Sequence, residues 1–119
     1  LNVSINEIGE RLITIESYIK EYQDNLKFEE ILRCYGNYLK LYLEGTDNTP
    51  IYNYEDNVIK EEVMSSYKNM SSLKNSVTAN VMSKYIDIIE ENQNVIDTNV
   101  LSRVPELYTE AIATLENRK

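Results

Sequence analysis

Apolar side chains recur at Leu1, Ile5, Ile8, Leu12, Ile15, Ile19, Tyr22 and Leu26, spaced 4-3-4-3-4-3-4. That alternation is the a/d seam of a helix packed along its whole length against other helices. A chain that opens this way is committed to helix-on-helix packing, and the seam predicts a coiled-coil-like first helix. Its start is marked locally. Ser4-Ile5-Asn6-Glu7 is a capping box, in which Ser4 accepts from the Glu7 N–H and Glu7 reaches back to Ser4. Val3 and Ile8 flank the cap as a hydrophobic staple. Gly9, beside the seam, costs the helix roughly 1 kcal/mol relative to Ala and reads either as a merely tolerated glycine, the favoured reading, or as one that allows a close approach.

Three further stripes follow the break at Asp24-Asn25. Lys27–Glu44 carries Phe28, Ile31, Leu32, Tyr35, Leu39 and Tyr42 on one face, widened by Tyr38 and Leu41, and Gly45 is placed to stop it. Residues 45–54 form a turn-rich loop through Gly45-Thr46-Asp47-Asn48-Thr49-Pro50 that ends in the bulky Ile51, Tyr52 and Tyr54. A third helix is expected from about Glu55 into Ser71–Ser76, where it either breaks or continues to Glu91 before Asn92-Gln93-Asn94. A last helix is expected after the cap formers Asp97-Thr98-Asn99, either bending or beginning at Pro105. The predicted fold is all-α: residues 1–119 as a single, mostly antiparallel bundle of four helices, or five where the third breaks. The first residue is Leu, which suggests a domain trimmed from a larger protein.

The net charge is −8, with 20 acidic against 12 basic side chains, and neither half is basic: 8 against 5 over residues 1–45, and 12 against 7 over 46–119. Direct nucleic-acid binding is therefore not expected, because it needs Lys and Arg to displace counterions. No run approaches the ~18 apolar residues that span a bilayer. The lone Cys34 cannot staple the fold, and an intracellular, cytoplasmic setting is expected.

Reaction chemistry is sparse. The chain has no histidine, and its three glycines, at 9, 36 and 45, make no phosphate loop. CxxC, HExxH and GxSxG are absent. Glu29-Glu30, Glu61-Glu62 and Glu90-Glu91 sit off the apolar stripes and read as solvated faces, since a di-iron bundle also needs Glu-x-x-His. Cys34 lies mid-helix among apolar neighbours and reads as a buried thiol. No catalytic residue, metal or cofactor is expected.

The opening Val3-Ser4-Ile5-Asn6-Glu7-Ile8 and the long helix after it resemble the start of helical proteins of the bacterial type VII secretion route. The Trp-x-Gly hairpin of those proteins is absent, and Leu43-Glu44-Gly45 is only a three-residue echo of it, so no family is assigned. What remains is aromatic surface. The chain has 10 Tyr, 1 Phe and no Trp, and a tyrosine, apolar in its ring and polar at its tip, suits an interface. The expected function is a non-catalytic protein–protein interaction module, an adaptor, subunit or targeting domain, binding another protein or its own copy. Tyr38, Tyr42, Ile51, Tyr52 and Tyr54 are the candidate contact residues, as the apolar groups hardest to bury. The alternative is an acidic inhibitor or immunity-type protein that blocks a basic active site or a nucleic-acid groove of its partner.

Overall fold

A computed structural model describes residues 3–24 and 26–117 of the chain. Leu1, the first seam residue, lies outside them. The capping box forms as the sequence predicts: Ser4 Oγ accepts the Glu7 N–H at 3.2 Å, and the Glu7 carboxylate accepts from the Ser4 N–H at 3.4 Å. Helix α1 (Ile5–Glu21) follows, then α2 (Phe28–Glu44), α3 (Glu61–Ser71), α4 (Val77–Glu91), the single turn α5 (Thr98–Leu101) and α6 (Val104–Glu116). The fold is an all-α bundle. Helices α1 and α2 pack as one hairpin and α3 and α4 as another, α1 joins the two, and α6 closes against α2 and α4.

The seam is corrected in its second half. The buried residues of α1 are Ile5, Ile8, Gly9, Leu12, Glu16 and Ile19. Ile15 is half-buried, and Tyr22 and Leu26 are exposed. A straight α-helix repeats every 3.6 residues, so its core stripe drifts away from a strict 3.5-residue seam, here from position 15 to position 16. At Gly9 the close approach, rather than mere tolerance, is what the structure has. A Cβ there would meet Tyr42 Cε1 at 3.1 Å and Met70 Cε at 3.3 Å, so its missing side chain is what lets the Tyr42 ring lie against α1.

The third helix starts six residues later than predicted. Residues 51–60 instead pair across the end of the bundle: Tyr52 bridges Ile59, and Val58 bridges Val95, both antiparallel. Asp56 accepts the Val58 N–H at 3.0 Å, and Asn57 takes the left-handed conformation at φ 62°, which turns the chain back on itself. Backbone bonds from Ile59 N–H to Asn94 (2.8 Å) and from Ile96 N–H to Asn57 (2.7 Å) then hold this turn to the end of α4. The Ser-rich stretch breaks the rod, giving the five-helix form: Asn75 is left-handed at φ 58°, and Ser76 caps α4 through the Ala79 N–H. Pro105 lies in the first turn of α6, so the helix begins there rather than bending. Gly45, at φ 73°, ends α2 as expected.

Two helix ends are satisfied by side chains from other helices. The last carbonyls of a helix lack intrahelical partners. On α2, Tyr67 of α3 donates to the Tyr42 carbonyl at 2.6 Å, and Tyr85 of α4 donates to the Leu43 carbonyl at 2.7 Å. At the start of α4 the acceptor is Glu16 of α1, whose carboxylate receives the Val77 and Thr78 N–H groups, both at 2.9 Å.

Candidate partner-binding surface

Polar groups inside the bundle are committed to one another. Glu16, 3% exposed, also accepts from the hydroxyls of Ser76 (3.0 Å) and Thr78 (2.6 Å) and pairs with Lys20 at 2.9 Å. Burial alone would raise its pKa. The hydrogen bonds from Thr78, Lys20 and Val77 outweigh that and hold it below the ordinary glutamate value. Its lone pairs are filled, so it has no capacity left for a ligand. Four tyrosines, Tyr35, Tyr42, Tyr67 and Tyr85, are fully buried, each with its hydroxyl bonded. Burial raises all four phenols above their usual range, Tyr42 to about 12. Glu29-Glu30, Glu61-Glu62 and Glu90-Glu91 are exposed, and no metal-holding group of three ligand side chains gathers among the described residues.

The five candidate contact residues separate. Tyr42 and Ile51 are fully buried, which removes both as contact residues, Ile51 by folding back over the end of the bundle core. Tyr42 stacks edge-on to Tyr67 and bonds Ser66, and Ile51 folds back into the core while its carbonyl accepts the Lys60 N–H. Tyr52 is half-buried and Tyr54 is 69% exposed, their rings edge to face at 5.7 Å. Tyr38 is half-buried one turn before Tyr42 on α2, within 3.5 Å of the Arg11 guanidinium, which donates to its hydroxyl.

Tyr38 belongs to a larger feature. An open groove of about 450 Å³ runs between α1 and α2, with Arg11 and Ile15 on one wall and Cys34 and Tyr38 on the other. Cys34 is exposed there rather than buried. Helix α2 turns Leu32, Tyr35, Gly36 and Leu39 to the core, and position 34 falls outside that arc. Beyond Ile15 the same flank of α1 carries Tyr18 (43% exposed) and Tyr22 (45% exposed), with ring centroids 4.6 Å apart, and the turn that follows holds a fully exposed Leu26. The seam arithmetic hid this surface, because it assigned Ile15, Tyr22 and Leu26 to the core. No local signal marked the shift, because Glu16 takes the buried arc only through hydrogen bonds from Ser76, Val77 and Thr78 some 60 residues on.

Family models, curated proteins and solved structures offer no match to this chain.

Proposed function

We propose that this chain is a non-catalytic protein-interaction module that docks through the outer face of the α1–α2 hairpin. The observation that carries the reading is the exposed pair Tyr18 and Tyr22, continued by the half-buried Ile15 and Tyr38 and followed by the fully exposed Leu26. A contiguous apolar patch with aromatic anchors on a rigid support is the usual anatomy of a docking site. The test is capture of partners by the intact protein. Changing Tyr18 and Tyr22 to Ser should lower capture at least about tenfold, near 1.4 kcal/mol, while the melting temperature holds. Unchanged capture by that double variant sinks this reading.

A second reading, the acidic inhibitor, draws support from the opposite end. Residues 44–62 hold six acidic side chains, Glu44, Asp47, Glu55, Asp56, Glu61 and Glu62, against Lys60 alone. Glu55 and Asp56 line a shallow pocket with the Tyr52–Tyr54 ring pair, a surface suited to a basic partner. The two readings separate by salt: an acidic mimic loses its partner steeply as ionic strength rises, and an apolar dock does not.

A further inference from the structure

Among the buried hydroxyls, one pair has a hydrogen too many. Thr78 donates to Glu16, so Tyr35 must donate to Thr78, and both hydrogens of that chain are used. Tyr67 and Tyr85 donate theirs to the carbonyls of Tyr42 and Leu43. Tyr42 and Ser66 have only each other, at 2.7 Å. Two hydroxyls carry two hydrogens, and the bond between them uses one, whichever donates. Thr14, Ser71 and Thr114, also on helices, return their hydrogens to a backbone carbonyl three or four residues back, and Ser66 makes no such bond. The second hydrogen therefore has no acceptor among the described residues, although Tyr42 is fully buried and Ser66 is 6% exposed. A buried donor left without an acceptor is costly.

That hydrogen lies under an open groove of about 600 Å³ between α1 and α3, with Tyr42 and Ser66 in its lining. Gly9 contributes no side chain to it, and Ile13, Met70 and Leu73 give it apolar walls. Its volume falls within the roughly 300–1,000 Å³ of small-molecule sites, which are apolar with a few placed polar groups. Among the described residues that line it, Glu10 alone is charged. These features fix the chemistry of an occupant. A spare O–H calls for an acceptor, which an ammonium group lacks. An anion brings acceptors but meets Glu10 and finds no cation to pair with. A neutral oxygen on an apolar body satisfies both conditions.

We propose that the α1–α3 groove binds a small neutral molecule with an apolar body and a carbonyl oxygen, which accepts the hydroxyl hydrogen that the Tyr42–Ser66 pair leaves unused. The site is separate from the docking surface put forward above, since none of Tyr18, Tyr22, Leu26 and Tyr38 lines it.

Acetophenone serves as the probe, with ethylbenzene as its counterpart lacking the acceptor and benzoate as the charged one. Each is titrated to about 1 mM into the intact chain at neutral pH while NMR follows the Gly9 amide and the Met70 methyl group. Acetophenone should shift both signals, with ethylbenzene and benzoate each at least about tenfold weaker. Ser66→Ala or Tyr42→Phe alone still leaves one free hydroxyl hydrogen and should keep the preference for the ketone. The two changes together remove the donor, and the ketone should then bind no better than ethylbenzene, with helical circular dichroism confirming the fold. Leu73→Ser, at an exposed position, tests the apolar wall without risk to the core and should weaken acetophenone several-fold. Unmoved Gly9 and Met70 signals overturn the proposal. So does equal binding of ketone and hydrocarbon, which would mean that water meets the spare hydrogen. A preference that survives the double variant, or binding indifferent to Leu73→Ser, overturns it as well.

Discussion

Glu16 shows how one residue can join two distant parts of the chain. Its carboxylate is carried by α1 and satisfies the first N–H groups of α4, some 60 positions on, a role that a local cap such as Ser76 fills only in part. Removing it strands two backbone donors and two hydroxyls in the core. Glu16→Ala should therefore cost about 3–5 kcal/mol, measured by chemical denaturation. The pH dependence has a definite sign. The folded-state pKa lies below the unfolded one, so as pH falls past about 4.3 the unfolded chain takes up the proton first. The stabilisation from Glu16 is complete above that pH and is lost as pH drops toward the folded value. Comparing melting temperatures of the wild type and Glu16→Gln from neutral to acid pH isolates this contribution, because the variant lacks it throughout. A parallel pair of curves would show that Glu16 is not the group responsible.

At the scale of the element, α1 separates what a heptad count can see from what a real helix does. Leu12 is fully buried and Ile15 only half, although the seam treats them alike. Leu12→Ala should destabilise by about 2–5 kcal/mol, and Ile15→Ala by well under half as much, in the same denaturation assay. Gly9→Ala makes the complementary test. Its gain in helix propensity is about 1 kcal/mol, but Tyr42 is held by Ser66 and Tyr67 and cannot retreat from the new methyl, so the variant should be less stable than wild type. The start of α1 and the end of α2 were legible because each is written in a local signal, a capping box and a positive-φ glycine, whereas the break before α4 and the entry into α6 each stood open between two readings until Asn75-Ser76 and the first-turn Pro105 decided them. The start of α3 was not legible. Ile59 continues the apolar spacing of the helix, and only its hydrogen bond to Asn94 reveals that it belongs to a paired turn. Asp56-Asn57 was the available warning, since both are turn formers.

For the whole molecule, the fold class followed from periodicity alone, while the candidate surface did not, because exposure depends on which stripes find partners. Tyr38, Tyr52 and Tyr54 reach the surface and Tyr42 and Ile51 do not, yet nothing in residue type separates Tyr38 from Tyr42 four positions later. What separates them is rotation about α2, which turns Tyr42 toward α3 and Tyr38 toward the outer groove. The surface is accordingly divided into an apolar hairpin face and an acidic, aromatic end. Tyr54→Ala should leave the melting temperature unchanged, since its ring is largely in water. A partner bound at the acidic end should be released both by that change and by raised salt. One bound at the hairpin face should be insensitive to both.

The buried tyrosines also give the protein an optical signal of its own integrity. With no tryptophan, its near-ultraviolet absorption comes mainly from phenol rings, four of which are sealed inside with their hydroxyls tied to the ends and flanks of helices. In the unfolded chain these phenols lose their protons near pH 10, and in the fold they hold them past it, Tyr42 to about 12. Stability therefore falls as pH climbs through this interval, the native state keeping protons that the unfolded state has released. Titrated with alkali, the protein should show a late rise in phenolate absorbance that coincides with loss of helical circular dichroism. The ultraviolet absorbance change then reads out the opening of the bundle without any added dye.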